Sequence, residues 1–242
     1  MKPKVFLFSS FFYLGSVLLS FSKTLYFAGH QWDVRQGQGA PGPNNWDERN
    51  AWLDESGQLH IKLAFRERKW TGAEIWTQDR LGFGTYQIKL IGRPDQLDPN
   101  IVFGFFGYTT PDIGPDTTNE IDIEFSQWGR TLANNAYWTV WPAQQGIERT
   151  AYGYPIHLSG TYTTHRYIWQ SKQVEFQALN GHQDGNANLF SNWTYHPTDY
   201  LKRVPQKALP FHINIWLFNG KAPINGQEVE MVISEFKFTP FK

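Results

Sequence analysis

Apolar and polar residues alternate with period two in several separated stretches of the chain. Leu59, Ile61, Leu63 and Phe65 are interleaved with His60, Lys62 and Ala64, which places the large apolar side chains on one face of a strand. Tyr86-Gln87-Ile88-Lys89-Leu90 and Gln173–Leu179 repeat the pattern. Between Glu228 and Phe238, Val229, Met231 and Ile233 share one parity and Phe236 and Phe238 take the other. One extra residue reverses the faces of a strand, so a bulge is expected near Ser234-Glu235. Turn signals at Ser56-Gly57, Gly82-Phe83-Gly84, Asn180-Gly181 and Asn225-Gly226 punctuate the chain. No stretch of about a dozen residues has a clean helical period. The pattern predicts an all-β fold, with two antiparallel sheets packed as a sandwich or jelly roll. Gln36–Asn45 and the Pro-rich stretch from about Gly181 to Pro210 read as loops, and neither marks a second domain.

One strand carries an unusual polar face. In Asn119-Glu120-Ile121-Asp122-Ile123-Glu124-Phe125, three carboxylates alternate with three large apolar residues. Glu120, Asp122 and Glu124 therefore share one face, while Ile121, Ile123 and Phe125 point into a core. Like charges in a row repel, so a face that only needed solubility would mix signs. Residues i and i+4 of a strand lie ~13 Å apart at Cα. Two Glu side chains reaching toward each other over a concave sheet can close to ~5–5.5 Å, the carboxyl spacing of a retaining glycosidase. One Glu would attack an anomeric carbon and the other protonate the leaving oxygen. The Asp between them would help keep one carboxyl protonated and one ionised. A solvated acidic edge and an ion-binding rim are the competing readings, although Asp112–Glu124 does not follow the EF-hand ligand pattern.

Composition narrows the choice. Lys and Arg number 22 and Asp and Glu 22, so the chain lacks the basic excess that marks nucleic-acid binding. With no Cys, there is no disulfide framework and no Cys-based metal site. Lys2 and Lys4 precede an apolar run from Val5 to about Leu19, and Ser20-Phe21-Ser22 supplies small residues at a cleavage site. Residues 1–22 are thus expected to be a secretory leader. The apolar run is short of the ~20 residues that span a bilayer. The mature domain, residues 23–242, is expected to be monomeric, free of membrane, and periplasmic or extracellular, where polymeric substrates are met. Aromatics make up 17% of the chain, including 11 Trp, and flat rings can stack on the C–H faces of sugars. Trp128 continues the parity of the carboxylates. Tyr137 and Trp138 follow on the next candidate strand, whose alternation does not settle which of them faces a cleft. Any single Trp is as readily explained by core packing.

The segment Glu120–Glu124, EIDIE, resembles the signature of glycoside hydrolase family 16, which includes lichenases, laminarinases and xyloglucan transglycosylases. Asn50–Leu63, Gly72–Leu90, Tyr167–Trp169 and Asn214–Trp216 resemble further family segments, in the family's order. The resemblance implies a curved jelly roll with a groove across its concave sheet, and a β-linked polysaccharide, β-glucan first, as the partner. It implies Glu120 as nucleophile, Asp122 as assisting acid and Glu124 as acid/base. It also implies Glu74, Asn214 and Trp216 as sugar-binding residues. Trp76 stands where lichenase-like members often carry an Arg, and stacking is expected to replace hydroxyl recognition there. The unbulged Glu-x-Asp-x-Glu spacing is similar to lichenases and xyloglucan enzymes rather than to bulged laminarinases. No cofactor is implied. A structural calcium is left open by the family, and Ser234, at the position of a calcium-binding Asp, argues against it. Segments 37–45 and 109–118 have no family-wide counterpart and are expected to reshape the groove. A noncatalytic glycan-binding module and a transglycosylase on the same scaffold are the alternatives, since one fold hosts many roles.

Overall fold

The computed structural model describes residues 23–241, so the expected leader at 1–22 lies outside the described residues. The chain opens with β1 (Thr24–Phe27), β2 (His30–Val34), β3 (Gly37–Gly39), β4 (Asn44–Trp46), β5 (Ala51–Leu53) and β6 (Leu59–Arg66). It continues through β7 (Lys69–Thr71), β8 (Ala73–Leu81), β9 (Gly84–Ile91), β10 (Ile101–Gly107), β11 (Glu120–Ser126) and β12 (Ala136–Trp141). The last third holds β13 (Thr150–Tyr154), β14 (Tyr162–Trp169), β15 (Val174–Asn180), β16 (Leu189–Tyr195), β17 (Leu209–Leu217) and β18 (Val229–Pro240). The one α-helix among the described residues is a single turn, α1 (Tyr200–Arg203), and no helix there is long and apolar enough to cross a membrane.

Two large antiparallel sheets pack face to face, as the alternation predicts. One runs β1-β2-β8-β17-β10-β11-β12-β13; the other runs β16-β15-β14-β9-β18-β6-β5, with β7 paired to β6. A single apolar core lies between them, built from alternate residues of both inner faces. Ile121, Ile123 and Phe125 are fully buried in it, and each contributes ~1.5–3 kcal/mol of transfer free energy. Glu120, Asp122 and Glu124 consequently face away from the core, on the outer surface of the first sheet. Strand β11 pairs without a register shift with β10 on one side and β12 on the other, so its alternation is unbroken. The expected bulge in β18 is present: its register with β9 shifts between Ile233 and Glu235, and Met231, Ile233 and Phe236 are all buried.

Three expectations are corrected. Phe65 does not join Leu59, Ile61 and Leu63 in the core but is 52% exposed. The pairing of β6 with β18 ends at Leu63, and beyond it the strand bends into a hairpin with β7, where Phe65 packs on Trp70. The stretch 181–210 is not all loop, because β16 adds an edge strand to β15. Paired on one side only, β16 buries little, although Trp193 and Tyr195 do pack against the core. Within Gln36–Asn45, β3 and β4 form a short hairpin.

Candidate active site

A cleft of about 880 Å³ crosses the outer face of the β11 sheet, within the usual size of a small-molecule or oligosaccharide site (~300–1,000 Å³). Its floor is set by cross-strand register. One row runs Glu74, Asn214, Gly104, Glu124 and Tyr137 across β8, β17, β10, β11 and β12. The neighbouring row runs Trp76, His212, Phe106, Asp122 and Thr139. Glu120 pairs with Trp141 beyond that. At the centre of the first row Gly104 leaves the floor open. A Cβ there would stand 3.2 Å from the Ile123 carbonyl and 3.3 Å from Glu124 Cγ, crowding the carboxylate.

The three acids are brought together as the alternation requires. Asp122 is buried, and Glu120 and Glu124 are half-buried, open to the cleft. Trp141 Nε1 donates to Asp122 Oδ2 at 2.9 Å. Asp122 Oδ1 is buried with no hydrogen-bond partner among the described residues, and a bond from it to the neighbouring Glu120 carboxyl would need a proton on one of the two. Burial pushes the Glu120 carboxyl up to about 8, its bond from Asp122 pulling down and the charges of Glu124 and Asp116 adding to the rise. Burial and then the Asp122 charge push Glu124 up to about 8 as well. Burial, the Glu120 charge and the bond to Glu120 hold Asp122 well above the carboxylate range. Such a bond lowers Glu120 and raises Asp122. The Arg149 guanidinium, 4.6 Å from the centroid of the Trp141 ring, opposes the upward shift of all three.

The other expected residues divide. Glu74, Trp76, Trp128, Tyr137, Asn214 and Trp216 all line the cleft. Trp128 reaches it by a different route from the one its parity suggests. Strand β11 ends at Ser126, and a turn with Trp128 at φ 52° brings its ring edge-on to Tyr137 at 5.7 Å. Trp216 is largely buried against Trp46, Val102, Trp128 and Phe218. Trp138 is a correction. It pairs with Ile123, is fully buried, and stacks on Phe176 at 5.6 Å in the core. Tyr137, Thr139 and Trp141 are the cleft-facing set of β12. The sequence reading missed Trp141, Arg149, Arg35, Tyr108, Asp116 and His212, all of which line the cleft. Trp141 could have been found by extending the parity of Tyr137. Ala40, Pro41, Asp116 and Thr117 line the cleft too, so both segments without a family counterpart contribute to the groove.

Glu74 is not free to take a sugar hydroxyl unaided. Its Oε1 meets His212 Nδ1 at 3.0 Å, and its Oε2 is paired with Arg35 Nη1. Burial pushes its carboxyl up, but the hydrogen bond and charge of His212 together with the Arg35 charge outweigh burial, and the net shift is downward. Arg35 thereby brings a guanidinium to the cleft wall beside Glu74.

The position of Ser234 does not fit a calcium ion. Ser234 Oγ donates to the Lys89 carbonyl at 3.2 Å, and the Lys89 ammonium already pairs with Asp184 and Glu235 at 2.9 and 3.2 Å. Activity and melting temperature are expected to survive chelator treatment. A large fall in melting temperature with EDTA, reversed by calcium, would contradict this.

No protein-family model matches the chain, and no curated protein matches it in sequence. Solved structures do. A β-1,3-1,4-glucanase (lichenase) from a mouse hindgut metagenome is 21% identical, with a TM-score of 0.62 over 87% of this chain and 93% of that one. A laminarinase from Flavobacterium sp. UMI-01 is 18% identical, with a TM-score of 0.65 over 86% and 92%. An immunostimulatory antigen and pseudo β-1,3-glucanase of Mycobacterium tuberculosis is 18% identical, with a TM-score of 0.65 over 87% and 91%. The protein therefore has the all-β jelly-roll fold of the β-glucanases of the lichenase and laminarinase type.

Proposed function

We propose that the protein is a secreted, retaining, endo-acting glycoside hydrolase that cleaves a β-linked polysaccharide, a β-glucan first among them. The observation that carries the reading is the β11 triplet: three carboxyls on one face of an unbroken strand, on the floor of an aromatic-lined cleft. In this reading the carboxylate form of Glu120 attacks the anomeric carbon. Glu124 gives its proton to the departing glycosidic oxygen, and a covalent glycosyl-enzyme forms. Glu124, now a carboxylate, then takes a proton from water, which releases the sugar with retained configuration. Asp122 moves no proton to the substrate, and Trp141 occupies one of its oxygens. Where a sugar hydroxyl replaces water as acceptor, the same intermediate gives transglycosylation.

A glycan-binding protein without turnover is the second reading, and one observation favours it: a neighbour of the same fold is described as a pseudo β-1,3-glucanase. Turnover on barley glucan, laminarin and xyloglucan separates the two. Because aromatic residues extend on both sides of the acids, from Trp76 to Tyr137 and Trp128, the cleft suits several sugar units. Viscosity of the glucan solution is expected to fall well before reducing ends accumulate. Release of monosaccharide alone in the first minutes would rule out endo cleavage, and glycan binding with no turnover would favour the second reading.

A further inference from the structure

At the β13 end of the cleft a charged side chain stands beside the acids and takes no part in the proton transfers. Glu120 on β11 pairs with Trp141 on β12, and Val140 pairs with Thr150 at the start of β13. Carrying that register one residue further sets Arg149 beside Trp141, so Arg149, Trp141 and Glu120 stand in line from strand to strand. Side chains alternate along a strand, and Arg149 shares the parity of Ala151; both line the cleft. The Arg149 guanidinium lies over the Trp141 ring, 4.6 Å from its centroid, and Trp141 Nε1 donates to Asp122 Oδ2 at 2.9 Å. An indole face attracts a cation, so each side chain restrains the other.

The other charged and titratable groups around the acids are already engaged. Toward β10 and the segment after it, Tyr108 Oη donates to Asp116 Oδ1 at 3.1 Å. Toward β17 and β8, His212 and Arg35 are both held by Glu74. On β12, Tyr137 Oη donates to the Asn134 carbonyl at 3.2 Å. Of the basic side chains that line the cleft, Arg149 alone forms no ion pair and no hydrogen bond among the described residues. It is exposed, and as an arginine it stays charged at every working pH.

Double displacement keeps one negative charge on the acid strand and moves it. Glu120 carries the charge before attack. In the glycosyl-enzyme Glu120 is an ester, and Glu124, having given its proton to the leaving oxygen, carries the charge instead. We infer that Arg149, held flat on Trp141, is the counter-ion of this travelling charge, a positioning residue that acts on both acids without exchanging a proton with either. The inference rests on the hydrolase reading of β11. Burial favours the neutral forms of Glu120, Asp122 and Glu124, and the Arg149 charge pulls against it at all three. From two strands away, ~10 Å, an exposed guanidinium shifts a carboxyl by ~0.3–1 pH unit.

The test separates charge from packing. Arg149→Met keeps a long apolar side chain on Trp141 and removes the charge, whereas Arg149→Lys keeps the charge. The pH profile of kcat/KM on glucan is measured for both and for wild type at low salt, with melting temperatures to confirm folding. Both limbs of the profile should move up by ~0.3–1 pH unit in Arg149→Met, because losing a nearby cation raises both carboxyls. That variant should be ~2- to 10-fold less active than wild type on the acid side and more active on the alkaline side, a gain that lost packing cannot give. Arg149→Lys should stay near wild type. The displacement should shrink in ~1 M salt, where charges are screened beyond ~3 Å. A loss equal at every pH, an unmoved profile, or Arg149→Lys behaving as Arg149→Met would overturn the inference. Carboxyl-carbon NMR titrations of the same proteins, assigned with Glu120→Gln and Glu124→Gln, need no turnover. Midpoints that rise in Arg149→Met sustain the counter-ion, and unmoved midpoints overturn it. Should wild type cleave no glucan, the hydrolase reading fails, and the titrations alone decide the role of Arg149.

Discussion

Glu120→Ala is expected to abolish turnover of both polysaccharide and activated aryl glycosides, by ~10⁴- to 10⁶-fold, the range seen when a nucleophile is removed. Every glycosylation event needs the attacking carboxylate, whatever the leaving group. Glu124→Ala should behave differently. A polysaccharide hydroxyl leaves poorly without a proton, so polymer hydrolysis should fall by ~10²- to 10⁴-fold, the usual contribution of a general acid. An aryl group leaves without help, so that variant should still form the glycosyl-enzyme, which then accumulates for want of a base. Added azide should release it as the β-glycosyl azide. On Glu120→Ala, azide should attack the substrate directly and give the inverted α-product. Interchanged configurations would mean that the two roles are swapped. Wild-type polysaccharide activity in both variants would remove β11 from the mechanism.

Activity should be bell-shaped with its maximum near pH 8, because Glu120 must be ionised and Glu124 protonated and both carboxyls are pushed up to about 8 from an ordinary 4.5: it falls on the acid side as Glu120 gains a proton and declines tenfold per pH unit on the alkaline side as Glu124 loses the proton it must donate. Stability should fall as pH rises. The folded state holds this proton over a range in which the unfolded chain has released it, so unfolding stability falls as pH rises wherever the native state binds more protons. The contribution is fully present below about pH 4.5 and lost by about pH 8. Glu124→Gln carries no such liability. Its melting temperature relative to wild type should be near zero at pH 4 and positive by a few degrees at pH 8–9, given ~2–4 °C per kcal/mol in a domain of this size. A difference that stays constant with pH would show that Glu124 titrates normally in the fold.

The acid strand was legible because burial on one face is absolute. Ile121, Ile123 and Phe125 have no alternative to the core, and that forces Glu120, Asp122 and Glu124 to the other side. The same logic reached the bulge at Ser234-Glu235, where apolar residues change parity. It failed at Trp138, because Tyr137-Trp138 offers an aromatic to either face. Only the pairing of Trp138 with Ile123 and of Tyr137 with Glu124 decides between them. Phe65 and β16 escaped for a related reason: at sheet ends and edges burial is partial, so periodicity no longer reports the inner face. Arg35, Arg149 and His212 carry no pattern of their own. They reach the cleft from the end of β2, from the segment before β13 and from the middle of β17, which are distant in sequence and joined only by strand order.

Trapping the covalent intermediate tests the central claim most directly. A 2-deoxy-2-fluoro aryl glucanosyl substrate slows both steps by destabilising the cation-like transition state, while its good leaving group keeps glycosylation the faster one. After incubation with wild-type protein and quenching, intact mass should rise by one fluoroglycosyl unit, and peptide mapping should place it on Glu120, in the segment that contains Glu120–Ser126. An adduct on Glu124 or outside β11, or hydrolysis with inversion and no adduct at all, would contradict the account.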